Sequence, residues 1–200
     1  REALEDLRSC GARRIVALHL APQDTGHARR LCAQQIEEAR CKLGWEVAID
    51  WAGPLAEEPM LAEAFSQRLA PLLPCERVLF TAHSLPLKDP EVAQRFQHQV
   101  NATAWLIARL AGIGVFEVAY QSRGLSDDRW LEPPAAEVIG HYAAGQVREM
   151  VLAPIGFVAD NIEILYDVDI ALRDYALARG VRLRRPESLN DLPAFIAALA

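Results

Sequence analysis

Hydrophobic residues in this chain follow two rhythms that alternate from one end to the other. Short runs at 14–20, 46–50, 77–82, 116–121, 147–154 and 181–183 are apolar and β-rich through most of their length. Between them lie longer stretches with apolar residues every three or four positions, as at Ala28, Leu31, Cys32, Ile36 and Ala39. The first rhythm predicts strands buried on both faces and the second predicts amphipathic helices. Helices are expected at 26–43, 59–73, 90–110, 134–144, 160–179 and 191–200, with Gly112 and Gly180 placed to end two of them. A repeated β-α order argues for an α/β fold, a parallel sheet covered by helices on both faces. In such sheets ligands bind beyond the carboxyl ends of the strands. The residues to search for chemistry are therefore Ala21-Pro22-Gln23, His83-Ser84, Gln121-Ser122 and Ile155-Gly156-Phe157.

Composition narrows the classes. Of the 200 residues 52% are hydrophobic, which is enough to build a sizeable core. The net charge of -6 gives a phosphate backbone nothing to bind, so nucleic acid is not an expected partner. The densest basic stretch, Arg179, Arg182, Arg184 and Arg185, reads as a solvated helix end and strand edge. No strand is followed by GxGxxG or GxxxxGK[ST], which removes most support for nucleotide binding. No run of 18 apolar residues is present, and the opening Arg1-Glu2-Ala3-Leu4-Glu5-Asp6 is no signal peptide, so a cytoplasmic location is expected. Cys10, Cys32, Cys41 and Cys75 lack CxxC spacing and read as buried or free thiols. Arg1 falls inside a helical pattern with no cap and no initiator Met before it, so a longer parent chain is expected.

Three stretches carry chemistry. Thr81-Ala82-His83-Ser84-Leu85-Pro86 puts a histidine at the mouth of the sheet, where a neutral imidazole can ligate a metal or accept a proton. The same position also suits a histidine that merely caps a strand. In the stretch from Gly156 to Asp167, the residues Asp160, Glu163 and Asp167 are spaced i, i+3, i+7, which on an α-helix lines up three carboxylates on one face. They could hold a divalent cation or pass protons, or simply complement a helix dipole. Tyr120-Gln121-Ser122-Arg123-Gly124, followed by Trp130, could line a flat aromatic ligand or anchor a loop.

Taken together these stretches resemble the ferrochelatase family. His83 sits in an [ST]AHS-LP element, Trp130 in a QS…PWLGP element, and Glu163 in an F-[VT]-[SA]-[DE]-H-x-E-x-LY element, in the family's order. The tail Arg185-Pro186…Leu189-Asn190-Asp191…Phe195-Ile196 fits as well. The resemblance implies two Rossmann-like parallel domains with a porphyrin in the cleft between them, the first domain being incomplete here. Residues 1–74 would belong to that first domain and 75–186 to the second, with the helix in 187–200 packing back on the first. It implies Fe²⁺ insertion, with His83 and Glu163, and Asp167 as a further candidate, handling the metal and the pyrrole protons. His83 and Glu163 would face each other across the macrocycle, with Ser84, Gln121, Ser122, Trp130, Phe157 and Asp160 lining it. Porphyrin and Fe²⁺ are the implied partners, as substrates; no further cofactor and no iron–sulfur cluster are expected, and peripheral membrane contact stays open. A cobalamin- or sirohaem-pathway chelatase, or a non-catalytic tetrapyrrole binder, are the alternatives. The departures from the family pattern are Gln23 and Asn161 at histidine positions, Glu132 in place of a glycine, Arg95-Phe96-Gln97-His98 in place of GDPYP, and Ala171 at an acidic position.

Overall fold

The computed structural model describes residues 1–124 and 126–200. In chain order the elements are α1 (Glu2–Ser9), β1 (Arg14–Ala17), α2 (His27–Lys42), β2 (Ala48–Trp51), α3 (Pro59–Leu69), β3 (Arg77–His83), α4 (Pro90–Ala111) and β4 (Phe116–Gln121). They continue with α5 (Ala135–Ala144), β5 (Glu149–Pro154), a π-helix (Ile164–Leu172) running into α6 (Arg173–Leu177), β6 (Arg182–Arg184) and α7 (Pro193–Ala198). Among the described residues the strands form two sheets, β1-β2 and β4-β3-β5-β6, and the pairings between these strands are parallel. The α/β architecture expected from the alternating rhythms is the one observed.

The larger sheet is organised by β3, whose apolar run leaves Leu79 and Phe80 fully buried. Successive strand residues point to opposite faces. Val78, Phe80 and Ala82, with Val151 and Ala153 of β5, meet Leu61 and Phe65 of α3, Phe96 and Val100 of α4, and Phe195 of α7. Leu79, with Met150 and Leu152, meets Ile139 of α5, Ile164 and Val168 of the π-helix, and Ala176 of α6. Each face thus has its own core, and both helical layers are held by one central strand. The helix α3, which a division at residue 74 leaves with the first segment, shares the core of the larger sheet, and α7 lies against it. Arg68 of α3 fastens the tail by pairing with Glu187 at 2.6 Å.

Local chemistry explains the longest helix. Asp89 accepts a hydrogen bond from the Val92 amide, Pro90 opens the first turn, and Gly112 closes it in the left-handed region at φ 69°. The small sheet is less buried, with Val16 64% exposed. The loop after β1 is tied to the rest of the molecule: the buried Gln23 amide donates to Thr103 Oγ1 and to the Ile155 carbonyl, both at 3.2 Å. Gln23 is therefore a buried link between the two sheets, not a group offered to a ligand. Among the described residues, no helix is long and apolar enough to cross a membrane.

Candidate active site

Three strand ends converge at the carboxyl edge of the larger sheet. Parallel register sets His83 of β3 beside Gln121 of β4, and Thr81 beside Pro154 of β5. The Ser84 amide donates to the Gln121 carbonyl and the Ile155 amide to the Thr81 carbonyl, both at 2.8 Å. Gly156 permits this approach: a Cβ there would lie 3.1 Å from both Ala82 Cα and Ala82 Cβ and 3.4 Å from the His83 nitrogen. Gly156→Ala is accordingly expected to cost about 1–3 kcal/mol in urea unfolding and to displace the His83 backbone. A Zn²⁺ titration of the same variant measures the second effect.

His83 directs its two ring nitrogens to different neighbours. Its Nδ1 lies against the Ser84 carbonyl, so Nδ1 carries the proton and Nε2 keeps its lone pair in the neutral ring. Nε2 stands 3.6 Å from Glu163 Oε1, with side-chain exposures of 31% and 39%. Both groups are therefore open to an incoming ion. Glu163 takes its place because Asn161 caps the helix start, its Oδ1 accepting from the amides of Glu163 at 3.0 Å and Ile164 at 3.1 Å. The sequence pattern marked Asn161 as a lost histidine; in the fold it is a helix cap, a role its residue type and position could have revealed. A separation of 3.6 Å also leaves no space for a macrocycle between the pair, since a flat ring contacted on both sides needs about 7 Å. The two side chains meet directly in this structure and do not stand apart as the expectation that they face each other across a macrocycle requires.

The expected file of three carboxylates does not form. Helical bonding begins after Asn161, so Asp160 lies outside it, and beyond Glu163 the helix is π, with i→i+5 bonds. Asp160 is engaged by the tail instead, accepting from Ser188 Oγ at 2.7 Å and Asn190 Nδ2 at 3.1 Å, with Arg185 3.5 Å away. The Ser188 and Asn190 hydrogen bonds, assisted by Arg185, hold its carboxyl below the usual aspartate range. A carboxyl lowered by folding stabilises the fold fully above its unfolded value, about 3.9, and loses that contribution as pH falls through the lowered one. Asp160→Asn is therefore expected to flatten the acid limb of stability below about pH 4 while leaving the curve above it with an unchanged slope. Chemical denaturation across a pH series tests this.

Asp167 faces β4, where it accepts a hydrogen bond from the Ser122 hydroxyl. Ser122 holds φ 58°, which turns its side chain toward the helix. Beside this pair is a cavity of about 280 Å³ bordered by Tyr120, Gln121, Arg123 and Ala171. The remaining expected lining residues divide. Ser84 is buried and donates to the Leu131 carbonyl at 3.3 Å, so it serves the strand-end network and not a ligand. Gln121 is buried, accepts from the Thr81 hydroxyl at 2.6 Å and meets only the cavity by Asp167. Trp130 is half-buried, its indole NH donating to the Ser126 carbonyl at 3.4 Å and its ring lying against Gly124. Phe157 packs against the core on the α5 side. Apolar groups that the pattern did not single out stand free beside Glu163: Ile162 is 77% exposed and Tyr166 57%.

Among the described residues, no group of three or more His, Cys, Asp or Glu side chains is arranged to hold a metal. His83 and Glu163 would offer a cation two donors, one nitrogen and one carboxylate, and leave its other positions to water or substrate. Such an open set suits a borderline divalent ion held for transfer.

Comparison with known proteins bears on the fold and the family. A bacterial sirohydrochlorin chelatase, SirB of Bacillus subtilis, solved with Fe³⁺, superposes with a TM-score of 0.72 at 14% identity, over 98% of this chain and 72% of its own. SirB of Bacillus subtilis subspecies spizizenii, solved with cobalt, gives 0.70 at 15% identity over 98% and 70%. At that identity the likeness is one of fold, a Rossmann-like chelatase fold. In sequence, the ferrochelatase of Acidobacterium capsulatum is 35% identical over 95% of this chain and 65% of its own length. The ferrochelatase of Thermus thermophilus is 31% identical over 94% and 62%, and the coproporphyrin III ferrochelatase of Geobacillus thermodenitrificans 31% over 100% and 66%. The chain thus spans about two thirds of the length of these relatives. With the Ferrochelatase family model matching residues 1–200 from end to end, the strand-end histidine and its glutamate partner find their context: the chain belongs to the ferrochelatase family.

Proposed function

We propose that the chain carries the metal-handling part of a ferrochelatase, a lyase that exchanges the two pyrrole protons of a porphyrin for Fe²⁺. The observation that carries this reading is the 3.6 Å approach of His83 Nε2 to Glu163 Oε1 at an open strand-end edge. Metallation must strip water from the cation and remove two N–H protons. His83 and Glu163 supply a nitrogen and a carboxylate that can first replace water on Fe²⁺ and then accept protons as the metal passes into the ring. Asp167, bonded to Ser122 after β4, lies along the same helix and offers a released proton a next acceptor. The exposed Ile162 and Tyr166 beside Glu163 give a flat, apolar macrocycle a surface to lie against.

Protoporphyrin IX and coproporphyrin III both fit this chemistry, and both belong in the test. The chain is titrated without oxygen with each porphyrin and then with Fe²⁺ or Zn²⁺, and the visible spectrum is followed. A shift on porphyrin addition, then conversion to the metalloporphyrin, is the expected result. Binding without conversion would replace this reading with tetrapyrrole binding alone.

A further inference from the structure

We propose that Arg185 and Asp169 are positioning residues for Glu163, fixing the angle at which its carboxylate meets His83; this rests on the chelatase reading above. Glu163 stands at the head of nine residues of π-helix, whereas π bonding is ordinarily confined to a single turn within an α-helix. A helix this wide needs support from outside its own backbone, and the segment after β6 provides it.

Arg185, its side chain 16% exposed, lays Nε and Nη2 on the two carboxylate oxygens of Asp169 at 2.6 and 2.8 Å. Its Nη1 donates to the Pro186 carbonyl at 3.0 Å and to Ser188 Oγ at 3.3 Å, which holds the guanidinium in place. A two-bond fork fixes direction as well as distance, which a lysine cannot do. On the other side of Glu163 the same segment grips the approach to the helix. The Asn190 amide donates to the Val158 carbonyl at 2.8 Å, and Asn190 Oδ1 accepts from the Asp160 amide at 3.0 Å. One loop therefore brackets Glu163 at residues 160 and 169, and the Ser122–Asp167 bond secures the face between them. If the fork is removed, the helix is free to turn, and Glu163 turns with it.

The test is the Zn²⁺ affinity of the chain, measured calorimetrically for the wild type, Asp169→Asn, Arg185→Gln and Arg185→Lys. Each substitution is also made in a Glu163→Ala background, and porphyrin binding is followed by absorbance. Asp169→Asn and Arg185→Gln are expected to weaken Zn²⁺ binding about ten- to a hundredfold and leave porphyrin affinity unchanged, with Arg185→Lys falling between them and the wild type. Once Glu163 is alanine, none of the three should change the residual affinity. Arg40→Gln removes an ion pair to Glu37 on α2, away from the tail and the π-helix, and should bind Zn²⁺ as the wild type does. Wild-type affinity in Asp169→Asn, or an equal loss with and without Glu163, would overturn the proposal while leaving the chelatase reading standing. Wild-type Zn²⁺ binding that is indifferent to both His83→Ala and Glu163→Ala would overturn the chelatase reading, and this proposal with it.

Discussion

Glu163→Ala and His83→Ala are each expected to slow metallation by about a hundredfold or more, the range typical of losing one positioned proton acceptor. Porphyrin affinity should stay close to that of the wild type, because neither group belongs to the apolar surface around Ile162 and Tyr166. The split matters more than the size of the effect. A residue that acts in the reaction changes turnover, whereas one that only shapes the pocket changes binding. The double variant should be little worse than the worse single one, since a 3.6 Å pair sharing one cation works as a unit. Glu163→Gln refines the result, because it keeps the shape and the oxygen and removes the charge and the proton affinity. Stopped-flow absorbance of metalloporphyrin formation, set beside equilibrium porphyrin titration, measures both quantities. Fully additive losses would show that the two side chains act in separate steps.

The largest stability effect is expected at Phe80. Its ring is fully buried and meets Phe116 edge-on, with centroids 5.3 Å apart and planes at 75°. Phe80→Ala removes the ring from the centre of the α3–α4 face, where neighbours on two helices and α7 are too closely packed to collapse inward. A cost of about 3–5 kcal/mol follows, read as a fall in the urea midpoint, with Tm lowered by roughly 10 °C. Leu79→Ala, one residue away, empties the opposite core and should cost about 2–5 kcal/mol. Because the two cavities lie on different sides of β3, their effects should add. A clear excess in the double variant would mean that the two faces relax together through the strand.

The alternation of strands and helices was legible because strands buried on both faces, such as β3, are written as unbroken apolar runs. The prominence of His83 was legible for a related reason: it follows such a run directly, and a polar group there must emerge at the sheet's edge. The π-helix was not legible. Spacings of i, i+3 and i+7 suit an α-helix, and the side chains bonded to this one, Ser122 and Arg185, are distant in sequence. Asp160 was misplaced for the same reason, since its partners Ser188 and Asn190 lie 28 and 30 residues further on. Ser84 and Gln121 were expected at a ligand because they end strands. Strand ends packed this closely must also satisfy their own polar groups, and the Ser84 hydroxyl and the Gln121 side-chain oxygen are engaged in that way.

The grip of the last segment on the Glu163 helix bears on when in the protein's life the site comes into being. β3 pairs with β5 across some 70 residues of chain, and the helix is braced only when Arg185 and Asn190 arrive. Contacts so distant in sequence form late, after the loop-closure entropy has been met. A nascent chain halted at residue 180 on the ribosome would already contain His83, Glu163 and Asp167, yet Glu163 would not be held to its angle. A Glu163 that works as proposed gains its angle to His83 only when residues 185–190 are in place.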